Sequence, residues 1–293
     1  MNRTALTIAL LAIGGICAVA QEHAAQGLVL RADAAHRRLV VSCDPIPGYM
    51  DAMEMAFSVR DPNQLAGLKP GSLIRFTMAN RDRSLYADDI HLVENFEPEP
   101  AEAGSLSALA PAPEAVGIGR PVPDFTLTDQ AGQAVRLSQF RGQVVALTFG
   151  YSRCPNPNYC LRLSRNLAQV ERRFHDRAGH DLVLVTIAID PEYDQGAALA
   201  RYAKSFGAEA ASWHFLTGTV AQVHQVAGLF GMNFWNTGGL ITHTLHTVVI
   251  DRSGRLAANI EGNQFSANQL GDLVQSVMER HDQAGQPRVP PLQ

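Results

Sequence analysis

The 293-residue chain carries 24 basic and 28 acidic side chains, a formal net charge of −4, and 46% hydrophobic residues. That mild acidity, with no long basic run, argues against nucleic acid as a partner and against strong electrostatic binding to a membrane surface. At roughly 150 residues per domain the length predicts two domains.

The N-terminus combines one basic residue, Arg3, an apolar run from Ala5 to Val19, and the small-residue sequence Ala18-Val19-Ala20. This is the pattern of a secretory signal over residues 1–20, cleaved after Ala20. The run is shorter than the roughly 20 residues a spanning helix needs. The mature protein is therefore expected in the periplasm, or anchored at the inner membrane if the signal stays uncleaved. Cys17 follows the bulky Ile16, a poor fit to a lipobox, and leaves with the signal. Cys43, Cys154 and Cys160 remain. An odd number of cysteines in an oxidising compartment leaves at least one thiol without an internal partner.

Residues 24–96 read as a small β-rich module. GLVLRAD, RRLVVSCD, MAFSVRD, SLIRFTM and DDIHLV are short runs with partial alternation, separated by turn residues such as Pro47-Gly48 and Pro70-Gly71. Five short strands predict a small closed, OB-like β-barrel, because closure removes exposed edges. Residues 97–115, EPEPAEAGSLSALAPAPEA, contain no aromatic residue and no periodic apolar face. They are expected to form a flexible Pro/Ala-rich tether.

Beyond the tether, residues 116–283 alternate strands and helices, and residues 284–293 read as a disordered tail. Strands are expected at Val122–Thr128, Val144–Phe149, Leu182–Ile189 and Thr244–Ile250. Helices are expected along the face of Leu163, Leu167, Val170 and Phe174, then over Gly196–Phe206, Val220–Phe230 and Ala267–Met278. The continuous apolar central strand implies an α/β sheet covered on both faces.

Cys154 and Cys160 follow the strand VVALTFG and are separated by Pro155-Asn156-Pro157-Asn158-Tyr159, which the prolines keep out of a helix. Cys160 falls at the helix start, where the backbone dipole favours thiolate, so both sulfurs are candidate nucleophiles or metal ligands. A static structural disulfide has equal standing on the residues alone. His243 opens the strand of THTLHTVVI, and alternation puts it on the opposite face from His246, so only one of the two is expected to matter. Nothing in the spacing shows that His243 reaches the cysteines.

The segments PVPDFTLTDQAGQAVRLSQFRGQVVALTFGYSRCP, TIAIDPEYDQGAALARYAKSFG, WHFLTGT and THTLHTVVIDRSGRL resemble the Sco/SenC copper chaperones of cytochrome oxidase assembly, in order and spacing. The resemblance covers Val116 to Arg280. It implies a thioredoxin-like fold with two cysteines and one histidine on one copper ion: Cys154, Cys160 and His243, with Asp190 beside the site. It also implies a redox-active Cys154–Cys160 pair and, as acceptor, the CuA site of cytochrome c oxidase subunit II or another cuproprotein, with periplasmic thiol-disulfide or copper-carrier partners. The commoner family motif has three residues between its cysteines and a proline after the second. Here there are five, followed by Leu161.

The segment CDPIPGYMDAMEMAF resembles the CusF-like periplasmic copper-binding barrel, whose motif is a histidine, an aromatic residue and Met-x-Met before a Phe. Met53-Glu54-Met55 matches the Met-x-Met and Cys43 stands near the histidine's place, with Tyr49 and Met50 nearest to the aromatic. Cys43, Met50, Met53 and Met55 are thus candidate Cu(I) ligands, soft sulfur donors favouring that ion. Core packing by the methionines has about equal weight. Of the other histidines, His23, His36, His175, His180 and His281 are expected to be solvated, His214 and His224 surface or core, and His91 an extra candidate ligand.

The sequence thus predicts a copper chaperone in which the barrel captures Cu(I), the tether lets it meet the α/β unit, and that unit delivers copper, with no substrate turnover. The alternative is a metal-independent thiol-disulfide oxidoreductase.

Overall fold

The computed structural model describes residues 21–81, 84–93, 113–237 and 240–284. The expected signal sequence, most of the tether, the Gly238-Gly239 pair and the C-terminal tail beyond Ala284 lie outside the described residues.

Five strands form the N-terminal unit: β1 (Gln21–Asp33), β2 (Arg38–Cys43), β3 (Met53–Ser58), β4 (Leu73–Arg81) and β5 (Ser84–Leu92). Their order is β1-β2-β3-β5-β4, and β4 pairs back onto β1 from Gln21↔Asn80 to Leu28↔Leu73. The ring is thinnest at β3–β5, a parallel contact with the single registered pair Ser58↔Tyr86. Val29, Leu39, Val41, Cys43, Phe57, Ile74, Phe76 and Met78 fill the interior. β1 begins six residues before the expected GLVLRAD, because its polar first half is held by pairing to β4 rather than by burial of its own side chains.

The second unit contains β6 (Thr126–Asp129), β7 (Ala134–Arg136), β8 (Val144–Gly150), α1 (Cys160–Arg173), β9 (Leu182–Ala188), α2 (Gly196–Ser205), β10 (Trp213–Thr217), α3 (Val220–Gly228), β11 (Phe234–Thr237), β12 (Leu240–His243), β13 (His246–Ile250), β14 (Leu256–Glu261) and α4 (Ala267–Ala284). A seven-stranded sheet runs β14-β13-β8-β9-β10-β6-β7. Its centre, β8-β9-β10, is parallel, and β13 pairs antiparallel to β8. Every residue of β8 and β9 is buried, as a sheet covered on both faces requires. One face is packed by Leu163, Leu167 and Val170 of α1 with Leu199 of α2 and Leu273, Val274 and Val277 of α4. Val223, Val226 and Phe230, in and just after α3, cover the other.

α3 starts with a reciprocal cap: Thr219 Oγ1 accepts from the Gln222 amide at 3.2 Å, and Gln222 Oε1 accepts from the Thr219 amide at 2.9 Å. Thr219→Ala is expected to cost ~1 kcal/mol of stability, read as a lowered midpoint in denaturant unfolding.

The barrel packs directly on the α/β unit. Leu28, Leu30, Val40, Leu73 and Val93 join the cluster of Leu273, Val274 and Val277. Ser42 Oγ donates to Asp272 Oδ2 at 2.6 Å, and Gln269 Nε2 donates to Ser42 O at 3.2 Å and Asp44 Oδ1 at 3.0 Å. At Gly71, φ +96°, an added Cβ would lie 2.8 Å from Asn259 O, so the loop before β4 needs glycine for both its backbone and its close approach.

Candidate metal centre

The buried strand β8 ends at Gly150, where an added Cβ would come within 3.1 Å of Tyr202 Oη and 3.3 Å of Cys160 Cβ. The missing side chain leaves room for the first turn of α1 to bring Cys160 against the sheet end. Between them, residues 151–159 are held at several points. Tyr151 Oη donates to Ile241 O at 3.2 Å. The Ser152 amide donates to Asp194 Oδ2 at 2.8 Å, and its hydroxyl donates to Asp194 Oδ1. Arg153 donates through Nε at 2.9 Å and Nη2 at 2.6 Å to Asp190 Oδ2, with its guanidinium over the Tyr193 ring. Asn156 Oδ1 accepts from the Asn158 amide at 3.0 Å, a side-chain-closed turn between the two prolines.

His243 arrives from the other side. It ends β12, paired with Phe234 in a hairpin, instead of opening the next strand as expected. The chain leaves regular pairing at Thr244-Leu245 before β13 begins at His246, and that break aims the imidazole at the cysteines. His243 Nδ1 lies 2.7 Å from Thr244 O. Because a carbonyl can only accept, Nδ1 carries the proton and Nε2 presents its lone pair. Nε2 is 3.5 Å from Cys160 Sγ. The rings of Tyr151 and Tyr159 stand nearly perpendicular to it, at 5.9 and 6.4 Å between centroids.

Cys154 Sγ, Cys160 Sγ and a nitrogen of His243 all lie within 4.8 Å of one another. Both cysteines are free thiols. Cys160 and His243 are buried, whereas Cys154 is half-buried and lines a cleft of about 200 Å³ with Tyr151, Pro155, Tyr159 and Ile241. The hydrogen bond from Cys160, helped by His243, pulls Cys154 down to about 4, while the neighbouring Cys154 sulfur and burial push Cys160 strongly up. The helix start was expected to favour thiolate at Cys160; burial and the second sulfur outweigh the dipole there.

Asp190 reaches the site through Arg153, the residue before Cys154. Sequence reasoning missed Asp194 and Ser152, whose pairing anchors the cysteine loop; only the spacing DPEYD hinted that a second carboxyl could serve. Burial raises the pKa of Asp194. A carboxyl with a raised folded-state pKa contributes stability below its unfolded value, near 3.9, and loses it as pH rises through the folded value. Asp194→Asn keeps an acceptor for the Ser152 amide without the charge. Its thermal midpoint is therefore expected to gain on the parent's as pH is raised above about 4, in parallel melts across pH.

In the barrel, Cys43 lies opposite Met53, and Val41 opposite Met55. Cys43 is buried, with burial and Asp44 pushing its thiol up to about 12. Met53 is 51% exposed, while Met50 and Met55 are half-buried against the interior. His23, expected to be solvated, is half-buried: its ring stacks on Tyr49 with centroids 3.8 Å apart. His91 sits in an exposed pair with Asp89 at 2.9 Å. His246 pairs with Asn259 and takes no part in the cysteine cluster.

Residues 118–279 match the SCO1/SenC family over more than half of the chain. The protein belongs to this family. Residues 22–91 match the family of the copper binding periplasmic protein CusF. The mitochondrial SCO2 homolog of Homo sapiens is 32% identical over 172 residues, 56% of this chain and 60% of that protein. The mitochondrial SCO1 homolog of Homo sapiens is 33% identical over 113 residues, 38% of this chain and 36% of that protein. The chain thus spans three-fifths or less of the length of these two relatives. Copper-bound ScoI of Arabidopsis thaliana is 23% identical with a TM-score of 0.48, covering 55% of this chain and 99% of that one.

Within this SCO1/SenC chain the parallel core strands, the flanking helices and the antiparallel β13–β14 pair fit a thioredoxin-like arrangement. The donor set also fits copper: thiolate sulfur selects Cu(I), imidazole accepts either oxidation state, and a three-donor set leaves coordination open for a further ligand.

Proposed function

We propose that the chain is a periplasmic copper chaperone that carries one copper ion on Cys154, Cys160 and His243 and passes it to the CuA site of cytochrome c oxidase subunit II or another cuproprotein. The observation that carries this reading is the convergence of two sulfurs and one correctly protonated imidazole at an open cleft. Copper is cargo here. An acceptor ligand enters on the side of half-buried Cys154, and donors are exchanged one at a time while Cys160 and His243 hold the ion from beneath. The barrel is read as OB-like, a reading its strand order β1-β2-β3-β5-β4 supports, and as a second Cu(I) site through Cys43, Met53, Met55 and Met50.

The lowered Cys154 pKa supports a second reading, metal-independent thiol-disulfide exchange. There the Cys154 thiolate attacks an acceptor disulfide and expels one acceptor thiolate. Cys160 then gives up its proton and attacks Cys154 Sγ, releasing the second thiolate and leaving a Cys154–Cys160 disulfide; the acceptor gains the two electrons.

His243→Ala separates the readings. Full-length parent and variant would be loaded with Cu(I), mixed anaerobically with a reduced, copper-free soluble CuA domain, and the copper carried by the separated domain counted; disulfide reduction would be measured in parallel without metal. The chaperone reading expects lost transfer and retained reduction in the variant. Rapid reduction by a parent that holds no stoichiometric copper at Cys154 and Cys160 would replace it with the oxidoreductase reading.

A further inference from the structure

His23 was set aside in the sequence as a solvated residue near the expected cleavage point, and the barrel places it elsewhere. It pairs with Met78, which is buried in the barrel interior, and lies two residues before buried Ala25 on the same strand. Directly opposed residues share a face, as do alternate ones, so His23 is on the inner face of β1.

The height of that position along the barrel matters. Cys43, the last residue of β2, pairs with Gly27, and β1 continues four residues further to His23. β3 begins at Met53 opposite Cys43. The end of β2, the start of β3 and the first residues of β1 therefore share one mouth of the barrel, and residues 44–52 connect β2 to β3 there. That connection is a formed turn: Ile46 and Met50 exchange backbone hydrogen bonds at 2.9 and 3.0 Å, with Tyr49 stacked on the His23 ring and Met50 packed against the barrel interior.

His23 Nε2 is shielded from solvent and has no hydrogen-bond partner among the described residues. An enclosed ring nitrogen without a partner requires a reason. Here the surrounding chemistry supplies one, since the same mouth carries one thiol and three thioethers. A soft monovalent ion with sulfur and imidazole donors matches that set.

We propose that His23 is a nitrogen ligand of a Cu(I) site at the barrel mouth, acting with Cys43 and the methionine sulfurs, and that Tyr49 fixes its ring by stacking. The inference deepens the reading of the barrel as a Cu(I) carrier and rests on it. On binding, Nε2 gives its lone pair to the ion, and the turn carrying Tyr49 and Met50 closes the mouth above it.

The test uses the full chain with Cys154→Ser and Cys160→Ser, so that the barrel is the remaining soft-donor site, titrated anaerobically with Cu(I) against a chromophoric chelator. His23→Phe is added because a phenyl ring keeps the stack on Tyr49 and lacks the nitrogen. Expected are one copper per chain, a copper-edge X-ray absorption spectrum with one nitrogen scatterer among sulfurs, and in His23→Phe an affinity at least about tenfold lower with the nitrogen scatterer gone and the thermal midpoint kept. A parent that binds one copper through sulfur alone, with His23→Phe indifferent, overturns the role of His23 and leaves the barrel site standing. A parent that binds no copper overturns the barrel site itself, and the His23 assignment with it.

Discussion

In the full chain, Cys160→Ala and His243→Ala each lower Cu(I) affinity by at least about tenfold, ~1.4 kcal/mol, and the cysteine variant loses more. Cys160 is buried with its sulfur 3.5 Å from His243 Nε2, and the three donor atoms lie within 4.8 Å of one another. Its removal leaves one sulfur on a loop and one imidazole on a hairpin, and takes away the more deeply buried of the two thiols. Removal of His243 leaves both sulfurs, which still hold a soft ion, though less tightly. Because copper must displace the proton that the neighbouring Cys154 sulfur and burial hold on Cys160, uptake releases that proton and affinity rises with pH. Competition titrations would use a Cys43→Ser, Met53→Leu, Met55→Leu background, which removes the thiol and two of the three thioethers of the proposed barrel site. Binding that is indifferent to both Cys160 and His243 would sink the three-donor assignment.

Much of the fold was legible because the chain announces it by burial. VVALTFG and LVLVTIA are continuous apolar runs, and both are strands buried along their whole length. The α1 face of Leu163, Leu167 and Val170 was visible from its helical spacing. Short elements escaped. β7, β11 and β12 have three or four residues, too few for a period to show. β10 begins Trp-His, where the Trp213 indole nitrogen finds Thr186 Oγ1 at 3.0 Å only after the neighbouring strand is in place. The same limit applied at the metal centre. Cysteine spacing was readable along the chain, whereas the approach of His243 depends on a hairpin 83 positions away from Cys160. Alternation put His243 and His246 on opposite faces, and the structure separates them by a different means, a break in the strand at Thr244-Leu245.

The sequence suggested a barrel swinging on its tether, but a tether's composition says nothing about what the units it joins can bury. The contact predicts a large effect from one substitution on the barrel's outer face. Val40 lies between Leu39 and Val41, which fill the barrel interior, and its own side chain is buried with the cluster of α4. Val40→Asp places a carboxylate in an apolar seam close to Asp272, whose own partners are Ser42 and Arg173. An uncompensated buried charge costs about 3–5 kcal/mol. The chain can avoid that cost by undocking, since neither interior core depends on Val40. Expected are a larger radius of gyration in small-angle scattering and two unfolding transitions where the parent shows one. Asp272→Ala, which removes the acceptor of Ser42 and the ion pair with Arg173 without adding a charge to the seam, should cost ~1 kcal/mol and leave the docked shape intact. An unchanged radius and a single transition in Val40→Asp would mean that the seam does not hold the units together. Docking also bears on copper, because Gln269 and Asp272 grip the residues on either side of Cys43, while Phe265, two residues before α4, accepts hydrogen bonds from Arg162 and Asn166 on the Cys160 helix. One short segment thus touches the supports of both candidate sites, so undocking should loosen the end of β2 and lower Cu(I) affinity at the barrel more than at Cys154 and Cys160.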